Sequence, residues 1–171
     1  PEAGSALASH MDVDRITFTG STLTGREIIK ASASNMKRVS VELGGKSPNI
    51  VLDDADLQAA VTRGVMHMYQ NTGQSCNAPS RMLVPSAKLA EAEAIAKKVT
   101  KAVVVGDPAA EKTTMGPVVS EVQFKKIQAL IRKGKKEGAK VVTGGTGRPK
   151  GLKKGYFVRP TVFSEANNDM T

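Results

Sequence analysis

Apolar and polar positions along the chain switch between two periods, and the switching sets an order of elements. Ser5 to His10 reads as a short helical piece. Arg15-Ile16-Thr17-Phe18-Thr19 alternates with period two and ends at Gly20, a strand followed by a turn. Thr24 to Ser34 reads as a helix. Lys37 to Val41 is a second strand, stopped by Gly44-Gly45, and Pro48 to Leu52 is a third. Asp53, Asp54 and Asp56 then open a helix, where anions favour the helix start. Its apolar positions Leu57, Val61, Gly64, Val65 and Met68 recur at helical spacing, and it ends near Asn71-Thr72-Gly73.

The second half keeps the rhythm. Arg81 to Val84 is a strand. Ser86 is placed to cap a helix running to about Val104, with Leu89, Ala92, Ala96, Val99 and Val103 on one face and Gly106-Asp107-Pro108 as the stop. Val122 to Lys136 is helical, with Ile127, Leu130 and Ile131 expected inside. Lys140 to Thr143 is a strand, Gly144 to Gly155 a basic glycine-rich loop, and Tyr156 to Phe163 a last extended segment. Strand and helix alternating at this pace predict an α/β fold with parallel strands.

Composition narrows the function classes. The 171 residues suffice for one ordinary domain with a real core and not for two full-sized ones. Hydrophobic residues at 40% and charged residues at 24% are ordinary for a globular chain, which argues against disorder as its main state. Aromatics at 4%, without Trp, make a poor base-stacking platform. No apolar run approaches the ~20 residues of a membrane span. One Cys allows no internal disulfide, two His leave no zinc site of usual composition, and a reducing cytoplasm is the expected compartment. The opening Pro1-Glu2-Ala3-Gly4 is neither a signal peptide nor an initiator Met, which suggests an excised piece of a longer chain. The net charge of +9 is uneven: Lys125 to Arg159 holds 12 basic residues and one acid, Glu137. Such a stripe suits either a nucleic-acid footprint or a solvated helix face and loop. No nucleic-acid-binding motif accompanies it, which favours the second.

Three places could carry chemistry. Cys76 sits in Asn71-Thr72-Gly73-Gln74-Ser75-Cys76-Asn77, a polar, Gly-containing stretch after a helix. A lone cysteine is usually a small buried hydrophobe, but these surroundings favour an exposed thiol, the best side-chain nucleophile near neutral pH. Neither His10 nor His67 stands in a motif that would activate it, so a carboxylate base would have to serve. Glu42 closes the strand Val39-Ser40-Val41 and precedes Gly44-Gly45. Ligands bind at strand ends in α/β sheets, although carboxylates there are often plain surface groups. Phe18-Thr19-Gly20-Ser21-Thr22-Leu23-Thr24-Gly25 joins a strand to a helix start through a glycine turn, which suits a phosphate or is an ordinary cap. It has neither the G-x-G-x-x-G spacing nor a P-loop Lys.

In order, Phe-Thr-Gly-Ser-Thr, Val-Glu-Leu-Gly-Gly-Lys-Ser-Pro and Asn-Thr-Gly-Gln-Ser-Cys-Asn-Ala-Pro-Ser-Arg resemble the NAD(P)-dependent aldehyde dehydrogenase superfamily. Glu42 and Cys76 lie 34 residues apart, as that family has them. The segments at Met115 to Val119, Gly134 to Ala139 and Gly155 to Thr161 are similar too. The resemblance implies an α/β chain with two parts. Residues 1–45 would end a Rossmann-like cofactor-binding domain, and residues 46–171 would form most of the Cys-bearing catalytic domain, truncated at its C-terminus. It implies an oxidoreductase that converts an aldehyde to an acid with NAD or NADP. Cys76 would be the nucleophile and Glu42 the base for the hydrolytic water. The backbone N–H of Cys76 would be one oxyanion-hole donor. Thr19, Gly20, Ser21, Gly25 and Leu43 would lie along the cofactor, and Gln123 and Lys126 would reach its adenosine ribose. Lys46 looks structural. The partner implied is a small-molecule aldehyde, with no nucleic acid and no membrane, and the full-length protein would be a homo-oligomer. Family members are much longer, so these 171 residues by themselves are expected to lack useful activity. Two other classes stay open: a non-catalytic piece that packs as a domain or binds an acidic partner through the basic stripe, and a cofactor-independent thiol esterase using Cys76 and Glu42.

Overall fold

β1 (Arg15–Gly20) and β2 (Arg38–Leu43) run parallel and in register, from Arg15 opposite Arg38 to Gly20 opposite Leu43. The crossover between them is α2 (Thr22–Ser32), as a parallel pair requires. The computed structural model describes residues 2–171, which part into two compact units, one ending at Gly45 and the next beginning at Lys46.

In the first unit, α1 (Glu2–Ser9) precedes this βαβ. α2 starts two residues earlier than the sequence pattern suggests, because Ser21 takes the N-cap. Its backbone is extended and its Oγ accepts the Thr24 N–H at 3.1 Å. Gly25 is buried on the inner side of α2. A Cβ there would sit 2.6 Å from Leu43 Cδ2, so the missing side chain sets how closely helix and strand pack. The second strand begins at Arg38, not Lys37. Lys37 is buried instead, and its Nζ donates to the carbonyls of Ala8 at 2.9 Å and His10 at 3.0 Å. It thereby satisfies acceptors left open at the end of α1.

The second unit contains β3 (Pro48–Ile50), α3 (Leu57–Tyr69), β4 (Arg81–Leu83), α4 (Leu89–Lys101), α5 (Glu121–Lys136), β5 (Lys140–Thr143) and β6 (Val162–Ser164). β3 and β4 pair in parallel through α3. β5 and β6 are antiparallel, against the expectation of parallel strands throughout, because residues 144–161 return the chain without a crossover helix. The core gathers Val51, Leu57, Val61, Val65 and Tyr69 against Ala92, Ile95, Ala96, Met115, Val118 and Val158. Gly64 lets α3 close on Asn49 and Met82 of the strands below. The Tyr69 hydroxyl and Thr100 Oγ1 lie 3.1 Å apart and tie α3 to α4, while burial pushes the phenol up from its ordinary value.

Several boundaries move for local reasons. Asp56 alone caps α3, accepting the Ala59 N–H, and Asp53 and Asp54 lie in the turn before it. Ser86 does not cap α4. It opens a 3₁₀ turn, Ser86–Lys88, and the helix follows with no side-chain cap. α4 ends at Lys101, short of Val104, because the β-branched run Val103 to Val105 leaves to pair with Thr114 and Met115. Its inner face is Ala92, Ile95, Ala96 and Thr100, and Leu89 is 37% exposed. On α5, Ile131 is buried, but Leu130 is 44% exposed. Gln128 takes the inward position, its Oε1 accepting the Gly147 N–H at 2.6 Å. Glu93 of α4 accepts from Ser164 at 2.6 Å and from Lys140 at 3.0 Å. These bonds, the Ser164 hydroxyl first, hold its carboxyl below the usual range and fix β5 and β6 to α4.

Gly144 turns the chain out of β5 with φ +86°, and a Cβ there would lie 2.1 Å from the Pro160 carbonyl oxygen. Backbone oxygen cannot move aside as a side chain can. Gly144→Ala is therefore expected to destabilise the protein by ~2 kcal/mol or more, read as a lowered midpoint in thermal denaturation. An unchanged midpoint would show that the 144–161 loop relaxes freely.

Candidate active site

The cysteine loop begins where α3 stops. Asn71, Thr72 and Gly73 follow with φ of 48°, 57° and 72°, three successive residues in the left-handed region. Gly adopts this freely and Asn tolerates it, but Thr is β-branched, and each non-Gly residue held there costs of order 1–3 kcal/mol. Hydrogen bonds hold the turn. The Gln74 N–H and its Nε2 both donate to the Asn71 carbonyl at 3.1 Å, and Asn71 Nδ2 donates back to the Gln74 carbonyl at 3.2 Å. Thr72 Oγ1 donates to the Gly116 carbonyl at 3.2 Å, and the Val119 N–H donates to Gln74 Oε1 at 2.9 Å. The 116–119 segment is itself anchored by Met115 and Val118, 3% and 2% exposed.

Cys76 follows this turn and is exposed. It is the second residue of a turn closed by the Ala78 N–H on the Ser75 carbonyl, which leaves its own N–H outside that bond. A thiol beside a free backbone donor is the arrangement an acyl-transfer nucleophile needs. Arg81, at the end of the same sequence motif, donates from Nε to the Lys46 carbonyl at 2.9 Å and from its N–H to the Ser47 carbonyl at 3.2 Å. It ties the start of the second unit to β4. Lys46 thus contributes through its backbone. No group of three or more metal-ligating side chains occurs among the described residues.

The first unit carries the other candidates. Glu42 lies inside β2 rather than closing it, with Leu43 as the last strand residue, and its side chain is exposed. Thr19 is its register partner on β1, one strand spacing of about 4.8 Å away. The two share a polar face with Thr17 and Ser40, while Leu43 turns to the opposite face against Gly25. Ser21 lies at the mouth of α2, its Oγ 2.9 Å from Thr24 Oγ1. The first intrahelical bond is from the Gly25 N–H to the Ser21 carbonyl, so the Thr22 and Leu23 N–H groups precede it and point out of the helix start. No acid occupies that first turn. Gly20 packs against its own neighbour, the Phe18 ring.

Gln123 and Lys126 lie three residues apart in the first turns of α5. Gln123 is half-buried and Lys126 exposed, and Ser120 caps the helix by accepting the Gln123 N–H. Much of the basic stripe is engaged within the chain. Lys125 pairs with Glu121 and Lys140 with Glu93, while Arg148 stacks 4.6 Å over Phe124 and donates to the Gly155 carbonyl. Arg159 donates to the Arg148 carbonyl.

The family model described as "Aldehyde dehydrogenase family" matches residues 1–171. The chain belongs to the aldehyde dehydrogenase family. A 3-succinoylsemialdehyde-pyridine dehydrogenase from a Pseudomonas species is 55% identical over 170 residues, which are 99% of this chain and 36% of that protein. The crystal structure of a Cys-to-Ala mutant of aldehyde dehydrogenase C from Pseudomonas syringae, complexed with NAD+ and octanal, superimposes with TM-score 0.96. The identity is 51%, covering 98% of this chain and 34% of that one. An aldehyde dehydrogenase from Mycobacterium tuberculosis, complexed with NAD+, matches with TM-score 0.95 and 42% identity over 100% of this chain and 35% of that one. The α/β architecture is that of these enzymes, and the chain spans about a third of their length.

Residues with no expected role of their own hold this aldehyde dehydrogenase loop together. Asn71, Thr72 and Gln74 read in the sequence as a helix end and a polar stretch before Cys76, with no sign of the bonds they make, although Asn-Thr-Gly is a composition that admits left-handed backbone. Nothing local in the sequence pairs Gln74 with Val119, 45 residues away.

Proposed function

We propose that the protein is an NAD(P)-dependent aldehyde dehydrogenase in which Cys76 is the nucleophile and Glu42 the general base. The observation that carries this reading is the exposed Cys76 just after a hydrogen-bonded left-handed turn, with its own N–H outside the bond from Ala78 to Ser75 that closes the next turn. The Cys76 thiolate adds to the aldehyde carbon to give a thiohemiacetal. Its oxygen takes a hydrogen bond from the Cys76 N–H. NAD or NADP, when bound, supplies the hydride acceptor that turns this adduct into a thioester. Glu42 takes a proton from the water that attacks the thioester carbon, the C–S bond breaks, and the acid leaves with the thiol restored.

The start of α2 fits the cofactor's pyrophosphate. Its free Thr22 and Leu23 N–H groups, the Ser21 hydroxyl and the absence of an acid in the first turn make a site for a phosphate oxygen. The 1–45 unit is therefore read as the end of the Rossmann-like cofactor-binding domain and the 46–171 unit as the Cys-bearing domain. Thr19 and, through its backbone because its side chain packs on Gly25, Leu43 are assigned to the nicotinamide side, Gly20, Ser21 and Gly25 to the pyrophosphate turn, and Gln123 and Lys126 to the adenosine ribose. Gly25 acts there by letting α2 sit close on Leu43. A cytoplasmic homo-oligomer is proposed for the full chain, on the family resemblance and on a single, unpaired Cys. No helix of the described residues is long and apolar enough to cross a membrane.

The test is an aldehyde panel with NAD and with NADP, followed at the absorbance of the reduced nicotinamide. Aldehyde-dependent reduction is expected. Hydrolysis of thioesters or esters with no reduction on any aldehyde would instead favour the thiol-esterase reading.

A further inference from the structure

We propose that Gln74 is a positioning residue for Cys76, its carboxamide clamping the cysteine loop to the 116–119 segment. The inference rests on the reading of Cys76 as the nucleophile and names the residue that keeps it in place. Gln74 uses both ends of its amide on different partners. Nε2 donates to the Asn71 carbonyl at 3.1 Å, and Oε1 accepts the Val119 N–H at 2.9 Å. Only one orientation of the amide satisfies both, because one partner is an acceptor and the other a donor.

The need for a clamp comes from the backbone. Asn71 and Thr72 are held with φ of 48° and 57°, a conformation that persists only where surrounding bonds over-determine it. Water could solvate each of these polar groups singly. It could not supply the tether, which joins the loop to backbone 45 residues away. That backbone is anchored just before the tether point, where Val118 is buried and its N–H donates to the Tyr156 carbonyl at 3.0 Å, while Val119 itself is exposed. A second strut runs in parallel, from Thr72 Oγ1 to the Gly116 carbonyl. Cys76 lies two residues beyond Gln74, so the direction of its thiol and of its N–H follows the position of this residue. Loss of the clamp frees the turn without removing any group that touches substrate.

Gln74→Met keeps the length of the side chain and removes both arms. Gln74→Glu keeps the acceptor for the Val119 N–H and loses the donor to Asn71. Both are made in the full chain. Hydrogen exchange over residues 71–78 and the pre-steady-state burst of reduced cofactor are measured alongside KM for NAD and the melting midpoint. In Gln74→Met, faster exchange confined to the loop is expected, with burst rate and kcat lowered about 10- to 10²-fold and the cofactor KM unchanged. Gln74→Glu should fall between it and the parent. Unchanged exchange overturns the clamp, and faster exchange with an unchanged burst overturns its positioning role. A fall in melting midpoint with kcat and cofactor KM shifting together also overturns it, since that is general loosening. Should Cys76→Ala retain turnover, the nucleophile reading fails on its own, and the exchange data still decide whether Gln74 clamps the loop.

Discussion

Cys76→Ala is expected to lower aldehyde oxidation by ~10⁴-fold or more, while folding and cofactor binding survive. The size follows from what the substitution removes. Without the thiolate no thiohemiacetal forms, and the rest of the site can only align aldehyde and cofactor. Groups that act as a unit in covalent catalysis lose nearly the whole enhancement when the nucleophile goes. Survival of the fold follows from exposure. Cys76 is a surface side chain outside the core cluster, so truncating it opens no cavity, and surface changes of this kind usually stay within ±0.5 kcal/mol. The decisive pair of measurements is therefore steady-state turnover and cofactor affinity, the latter by calorimetric titration. Turnover within tenfold of the parent would remove Cys76 from the mechanism. Joint loss of turnover, cofactor affinity and melting midpoint would show a structural defect instead. Cys76→Ser separates the two further, because the hydroxyl fills the same space and is a far weaker nucleophile at neutral pH.

What the sequence made legible was whatever is local. The strand at Arg15–Gly20, the glycine turn after it and the helix beyond are written in adjacent residues, and they appear within two positions of their expected bounds. The motif around Cys76 likewise predicts an exposed thiol, because a Gly-containing polar stretch after a helix cannot bury one cheaply. Features set by distant partners were not readable. β6 runs antiparallel to β5 because its connection lacks a helix, a fact about residues 144–161 as a whole. Leu130 is exposed and Gln128 buried because Gly147, from that same loop, offers an N–H to the Gln128 amide. Lys37 fits the strand pattern of its neighbours but is drawn inward to cap the end of α1. The charged stripe from Lys125 to Arg159 allows a footprint by composition, yet Glu121, Glu93 and Phe124 engage Lys125, Lys140 and Arg148.

Glu42→Gln tests the second half of the chemistry, and its expected signature is a change in shape as well as in rate. Glu42 is exposed on β2, in register with Thr19, and neither residue belongs to the core cluster, so an isosteric amide leaves the sheet undisturbed. An amide cannot accept a proton from water near neutral pH. Attack on the Cys76 thioester then proceeds without its base, and removal of a general base typically costs ~10²–10⁴-fold. Formation of the thioester asks nothing of Glu42 in the proposed sequence. A stopped-flow trace should therefore keep a burst of reduced cofactor close to one per Cys76, at nearly the parent rate, followed by a steady phase slowed by that factor. The acylated protein should accumulate and be visible by intact mass as Cys76 carrying the acyl group. A small external amine or thiol should shorten the slow phase, because it attacks a thioester without needing a base to deprotonate water. Loss of the burst together with turnover would place Glu42 in the acylation half or in preparing the thiolate. A steady phase at the parent rate would pass the role of base to another carboxylate of the full chain.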